Sequence, residues 1–503
     1  KKLQNFANMT GGGVGTSSSA ASSASGAPAD TWFDLMIPSL STLRHNPTIE
    51  ALVGNNKALS VSLATAAALG LGLSLGLVAA RAWKGKAPCL NAQNKGGETK
   101  VVVEKLLPVE ELILANNEPS VTTITFFKGR YERASEVLRG RVEAIVKKNP
   151  WLLGSVSGKH LVYPVLEETQ VPSCIPQEMF QVKKLDLHRD TPYETIGEVL
   201  EGFVVLPGRC SMLWRNTVIP DASDENRFAL VTSMSHVAGD GNTYYQIFNQ
   251  LCGSMEITAL SPARKADCAR AIEDLTKTRR ELMGPSFFIG IALRMLYGAT
   301  LAREKVHARM AFLSDAWVTK SKKEAKAKGG EGGGGGVGYI STNDAVTSWF
   351  FRKSRNCRLS LMAVNFRNRV ENCASADAGN YEDMIYYLPG DVETPGLIRK
   401  SLGQFKRAGS PETVLPSSFL GRLGLNGALV TNWSTFYRPG RIPDCVEDLH
   451  LPVALLGHMP HFWTLCVIFR PTPTKLGLFL CGLSGDIKEY EEEDGGPLGE
   501  SVC

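Results

Sequence analysis

The sequence predicts an α/β protein of two lobes, each built on a mixed β-sheet, preceded by a single transmembrane helix. Three observations predict it. From Val101 onward, extended apolar runs alternate with amphipathic helical stretches, the pattern of an α/β chain. The 503 residues exceed what one hydrophobic core commonly supports, and a Lys/Gly-rich stretch at 321–338 divides the region in two. Ahead of both halves lies an uncharged run of 23 residues, Ala58 to Ala80.

Residues 1–56 come first, and their Gly/Ser/Ala-rich portion from Gly11 to Asp30 is expected to be disordered. A Ser/Ala-rich start permits an organelle transit peptide, although the arginines usual in one are missing. The chain opens on Lys1 and not Met, so the natural N-terminus is expected further upstream. Residues 57–82 follow as the expected anchor. At about 1.5 Å per residue, the apolar run is long enough to cross a hydrocarbon core of about 30 Å. Its small residues also suit packing against another helix. Arg81, Lys84 and Lys86 follow it and only Lys57 directly precedes it, which predicts that the C-terminal region faces the cytosol or a stroma-like compartment.

The first lobe, 101–320, contains strands at Val121–Phe127 and Phe228–Met234, both rich in β-branched or aromatic residues, and a helix at 133–148. A second apolar stretch, Gly284 to Ala302, holds Arg294 and is bounded by Arg303. It predicts a packed or interfacial helix, because a mid-span arginine costs several kcal/mol. Residues 321–338 read as a flexible crossover linker; no Gly-Lys-Ser/Thr ending is present to make a phosphate cradle. The second lobe, 339–486, ends on a strand pair at Phe462–Phe469 and Leu476–Cys481. Residues 487–503 are expected to form a solvated acidic tail.

Composition excludes several functions. The net charge of +5 is spread along the chain without interleaved basic and aromatic residues, so nucleic acid is not an expected partner. Eleven cysteines occur with no Cys-x-x-Cys pair, which fits a reducing compartment and gives no zinc spacing. His458 and His461 flank Pro460, which prevents a regular helix, and no carboxylate or cysteine follows at ligand spacing; no metal is expected. Cys210 and Cys252 have no evident activating partner as nucleophiles, and the Gly-x-Ser-x-Gly elbow is absent.

One stretch has a recognisable chemical setting. His236-Val-Ala-Gly-Asp240-Gly241 follows the strand Phe228–Met234 and precedes Tyr244, Ile247, Phe248 and Leu251 at helical spacing. A neutral imidazole at a strand end can accept a proton from an alcohol or amine attacking an acyl carbon. Glycines on either side of Asp240 are expected to permit a sharp strand-to-helix turn through backbone angles other residues resist.

The motif and its neighbours resemble the chloramphenicol acetyltransferase-like acyltransferase superfamily. That group includes plant-type BAHD acyltransferases, wax ester synthases with diacylglycerol acyltransferases, and peptide synthetase condensation domains. The matching segments occur in the expected order. They are Leu138 to Val146 with Asn149 to Gly154, Ser211 to Trp214, Ser341 to Asp344, Asn365 to Arg369, Gly379-Asn380, and Val430 to Ser434. The likeness covers roughly residues 101 to 483. It departs from plant BAHD enzymes in lacking their Asp-Phe-Gly-Trp-Gly element, where Tyr437-Arg-Pro-Gly440 stands, and from wax ester synthases in lacking a proline before Leu213-Trp214.

The resemblance implies a two-lobed fold with a channel that acyl thioester and acceptor enter from opposite faces. It implies His236 as general base in a ternary complex, with acyl-CoA as co-substrate and no bound cofactor. Asp240 invites a triad role, orienting the imidazole; the resemblance implies instead a structural brace with Arg367, or alternatively Arg369. Asn343 and Asp344 match a structural element, and Gly241 serves the turn. Thr431, Asn432 and Ser434 are candidates to stabilise the oxyanion, while Trp433 is expected to pack. With the anchor, these expectations describe a membrane-bound O-acyltransferase acting on a hydroxylated lipophilic molecule such as a long-chain alcohol, diacylglycerol, sterol or terpenoid. Two alternatives stand beside it: an N-acyltransferase or condensation-type enzyme using a carrier thioester, and a catalytically silent membrane-tethered binding protein.

Overall fold

The computed structural model describes residues 100–116, 118–206, 212–276, 305–330, 339–354, 357–409, 426–458, 463–491 and 495–502. The expected N-terminal segment 1–56, the anchor 57–82, the stretch 284–302, Ser211, Cys210, residues 331–338 of the linker and His461 lie outside them. Among the described residues no helix is long and apolar enough to cross a membrane.

The strands are β1 (Val101–Lys105), β2 (Val121–Lys128), β3 (Ser155–Ser157), β4 (His160–Pro164), β5 (Phe180–Val182), β6 (Trp214–Pro220), β7 (Arg227–Met234), β8 (Val306–Leu313), β9 (Cys357–Asn365), β10 (Glu382–Tyr387), β11 (Asn426–Asn432), β12 (Val446–Pro452), β13 (Trp463–Phe469), β14 (Gly477–Leu483) and β15 (Leu498–Ser501). The helices are α1 (Pro108–Ala115), α2 (Tyr131–Lys148), α3 (Val171–Cys174), α4 (Tyr193–Leu200), α5 (Gly241–Leu251), α6 (Ala266–Leu275), α7 (Asp315–Gly330), α8 (Thr342–Lys353), α9 (Pro395–Gln404) and α10 (Ser484–Glu491).

Two large mixed sheets carry the fold, in the orders β12-β2-β7-β6-β5 and β10-β9-β11-β13-β14-β8-β15; a small sheet, β1-β4-β3, stands beside them. Period-two alternation explains how they stack. In β7, Phe228, Leu230 and Met234 face the core shared with α2 and α5, whereas Ala229 and Val231 face the other way. In β13 and β14, Val467, Phe469, Phe479 and Cys481 meet that second face, while Cys466, Ile468, Leu478 and Leu480 turn toward α8 and α10. The five- and seven-stranded sheets therefore pack face to face, each with helices on its outer side. Strands buried on both faces read as near-continuous apolar runs. Each large side chain so enclosed contributes about 1.5–3 kcal/mol.

Three expectations about boundaries are corrected. The lobes do not divide at 320/339, because they exchange strands: β8 pairs with β14 in the second sheet and β12 pairs with β2 in the first. Residues 321–330 are not linker but the continuation of α7, since Lys, Glu and Ala are good helix formers until the glycines begin. Residues 487–503 are not a free acidic tail. Tyr490 of α10 is buried, and β15 pairs with β8 while Val502 is enclosed, so the apolar residues there override the local charge.

Candidate active site

The site begins where β7 stops. Ser235 N donates to Leu213 O at 2.8 Å and Ala238 N to Ser235 O at 2.9 Å, turning the chain at the strand end and leaving His236 half-buried. Asp240 then opens α5 as its N-cap, with Oδ1 accepting from Thr243 N at 2.9 Å. The flanking glycines act differently from expectation. Neither has a positive φ. A Cβ on Gly239 would lie 2.5 Å from Thr243 Cγ2, so Gly239 is required by the closeness of the first helical turn. At Gly241 the nearest atom would be Trp433 Nε1 at 3.5 Å, an ordinary contact, so this glycine matters as a bridge to the β11 segment and not as a hinge.

Asp240 is buried against Arg367, with Oδ2 to Nη1 at 2.6 Å. Every N–H of that guanidinium has an acceptor. Nε donates to Asp377 O at 2.8 Å, Nη1 also to Asn365 Oδ1 at 3.1 Å, and Nη2 to Thr243 Oγ1 at 3.0 Å and Gly379 O at 2.9 Å. Asp240 Oδ2 accepts in addition from Tyr381 N at 3.0 Å. Burial works against the charge of Arg367, and Asp240 more than offsets it, so the guanidinium is held above its ordinary value. Breaking a buried pair of this kind by removing one partner costs about 3–5 kcal/mol. Arg369 is not part of the pair: its guanidinium lies over the Phe405 ring, 5.6 Å from the centroid. Asp240 thus ties α5 to β9 and makes no contact with the imidazole in the manner of a triad carboxylate.

The imidazole is held by another residue. His236 Nδ1 lies 3.1 Å from Asn380 Oδ1. Asn380 Nδ2 donates to His236 O at 2.8 Å and to Glu110 Oε1 at 3.3 Å. Neither of those groups can donate in return when the carboxylate is ionised, so the amide oxygen must face the ring and Nδ1 carries the proton. Nε2, the other ring nitrogen, then presents its lone pair, and it makes no hydrogen bond among the described residues. Glu110, the third residue of α1, is itself fixed by Arg264 at 3.0 Å and by Leu107 N at 3.0 Å. Arg264 continues to Ala238 O at 3.1 Å, directly beneath the turn that carries His236.

The remaining candidates form a second cluster. Asn343 Oδ1 accepts from Asn432 Nδ2 at 3.0 Å, and Asn432 Oδ1 accepts from Ser434 Oγ at 2.7 Å and Ser434 N at 3.0 Å. The Ser434 hydroxyl proton is therefore committed within the turn. Thr431, half-buried at the end of β11, makes no side-chain hydrogen bond among the described residues. Asp344 caps α8 through Ser341 and pairs with Arg399 Nη2 at 2.6 Å, which makes it structural. The two clusters approach where Trp433 meets Gly241. Cys252, considered as a nucleophile, is pushed well above its ordinary thiol range by burial.

No protein-family model and no curated protein sequence matches the chain. Solved structures do. TRI101 of F. graminearum, complexed with coenzyme A and deoxynivalenol, is similar at a TM-score of 0.51 and 11% identity, over 80% of this chain and 100% of that one. TRI101 of F. sporotrichioides, complexed with coenzyme A and T-2, gives 0.51 and 13% over 80% and 100%. Vinorine synthase gives 0.51 and 11% over 83% and 97%. The chain has the chloramphenicol acetyltransferase-like fold. Within that fold, sequence reasoning named His236, Asp240 and Arg367 but gave no role to Asn380, Glu110, Arg264 or Glu382. Gly379-Asn380 was visible as a matching dipeptide. Pro108 followed by Glu110 is a helix-start pattern, and its extension to the histidine depends on contacts 270 residues away.

Proposed function

We propose that the protein is a membrane-anchored, acyl-CoA-dependent O-acyltransferase that esterifies the hydroxyl of a lipophilic acceptor. The observation that carries this is the single orientation of His236: Asn380 holds Nδ1–H, and Nε2 is left to act as base at a strand end. In the reaction, Nε2 takes the acceptor's hydroxyl proton as the oxygen attacks the thioester carbonyl. The tetrahedral oxyanion collapses with cleavage of the C–S bond, and the imidazolium returns its proton to the departing coenzyme A thiolate. No residue is acylated. Thr431, whose hydroxyl is uncommitted, is the oxyanion donor favoured among the three candidates. The apolar run at 58–80 supports placing this chemistry at a bilayer, where long-chain alcohols, diacylglycerol, sterols or terpenoids are concentrated.

The test is purified protein in mixed micelles with radiolabelled acyl-CoA and each acceptor class. Coenzyme A release that depends on acceptor and is abolished by His236→Ala is expected. Unchanged release in that variant contradicts the mechanism, and turnover confined to small soluble alcohols contradicts the acceptor class.

A further inference from the structure

The buried charges around His236 can be paired off. Asp240 has Arg367, and Glu110 has Arg264. Glu382 has no such partner: its side chain makes no hydrogen bond or ion pair among the described residues. Its position is set by the β9–β10 ladder, in which Glu382 faces Asn365 and Phe366 N bonds Tyr381 O at 2.9 Å. Side chains alternate along such a chain, so Glu382 shares a face with Asn380, the residue that grips the His236 ring, while the intervening Tyr381 is buried with its amide on Asp240. Glu382 as a whole is half-buried. The charged groups acting on it are Asp240 and His236 from the turn before α5, Arg367 from the chain after β9, and Glu118 from the chain after α1.

We propose that Glu382 is a positioning residue for the reaction proposed above, a carboxylate with no cation of its own whose charge stabilises the imidazolium that forms when His236 accepts the acceptor's proton. The field of Asp240 is opposed by Arg367 directly against it, and that of Glu110 by Arg264. Burial pushes the Glu382 carboxyl up to about 7, Asp240 adds to the rise, and His236 and Arg367 oppose it. The charge is therefore present mainly from neutral pH upward.

The inference rests on the function proposed above, and two readouts separate the failure of one from that of the other. The first needs no substrate. In the full chain with 13C-carboxyl-labelled glutamate, the Glu382 signal, assigned by its loss in Glu382→Gln, is expected to titrate near pH 7 and to move upward in His236→Gln. A midpoint indifferent to His236→Gln overturns the proposal. The second uses acetyl-CoA and 1-hexadecanol in mixed micelles. Glu382→Gln is expected to lower kcat about tenfold with KM for acetyl-CoA unchanged, and to remove one ionisation from the kcat–pH profile, with Glu382→Asp restoring most of both. A wild-type kcat and pH profile in Glu382→Gln overturns the proposal while leaving His236 as the base. Wild-type turnover in His236→Ala overturns both.

Discussion

Two histidines flank α5, and their surroundings could hardly differ more. His450 of β12 is completely enclosed, with Nδ1 on Thr125 Oγ1 at 2.8 Å and Nε2 on Tyr245 OH at 3.1 Å, and its ring is stacked 4.6 Å from that of Tyr437. Burial drives its pKa down to about 3, so it is a neutral spacer in the core. His236, on the turn that precedes this helix, has one nitrogen gripped by an amide and the other open, above two buried ion pairs. The same side chain is made structural by saturating both nitrogens with hydroxyls away from solvent. In the function proposed above, it is made available for proton transfer by fixing one nitrogen and leaving the other.

The contrast can be broken most violently at the support of His236. Asp240→Asn removes the charge partner of a buried arginine and is expected to cost about 3–5 kcal/mol of stability, read as a lower denaturation midpoint or as insoluble protein. A purely kinetic loss with a wild-type midpoint would instead favour a triad role. Asn380→Leu acts on the other nitrogen. It frees the ring to adopt either tautomer and is expected to lower kcat about tenfold or more, with the acyl-CoA KM retained, as measured by coenzyme A release.

His450→Gln sharpens the comparison from the structural side. It is expected to cost about 1–3 kcal/mol at pH 8 while kcat stays near wild type. The pH dependence follows from the direction of the shift. A histidine whose folded pKa lies at about 3 contributes stability that is fully present above about 6.5 and is lost as pH falls from there toward 3. The deficit of His450→Gln should accordingly shrink in denaturation curves taken from pH 6.5 down to pH 4. Glu447 and Glu382 run the other way. Burial raises both to about 7, so their contribution is full below about 4.5 and is lost as pH rises through 7. Glu382→Gln is thus expected to equal wild type in Tm at pH 5 and exceed it by about 1–2 °C at pH 8, an outcome opposite to that of a residue kept for stability. The smallest effect belongs to Arg369→Lys, which leaves the Asp240 pair untouched and should change the midpoint by about 0.5 kcal/mol or less.

Much of the His236 site was legible in the sequence, whereas nothing there marked His450, whose partners Thr125 and Tyr245 are distant in the chain. The change from the apolar run Phe228–Met234 to helical spacing after Asp240 marks the strand and the helix directly. The ordered matches then point to Asp240 and Arg367 as partners, although only the structure distinguishes Arg367 from Arg369. Strand exchange was not legible, because β8 and β12 each pair with strands more than a hundred residues away and carry no local sign of it. The Lys/Gly-rich linker was misread for a simpler reason: Lys322 to Lys328 are mostly charged, but Lys, Glu and Ala are also good helix formers. Glu110, Arg264 and Glu382 belong to no local pattern. They matter only because three distant segments converge under one turn, where buried charges require partners that spacing along the chain does not reveal.

The decisive experiment is acceptor-dependent coenzyme A release by His236→Ala and His450→Ala side by side, at a temperature where circular dichroism shows both folded. His236→Ala is expected to keep a near-native melting transition and lose about a hundredfold or more in kcat, whereas His450→Ala is expected to melt earlier and turn over at close to the wild-type rate. Retained turnover in His236→Ala, with the loss falling on His450→Ala, would contradict His236 as the base.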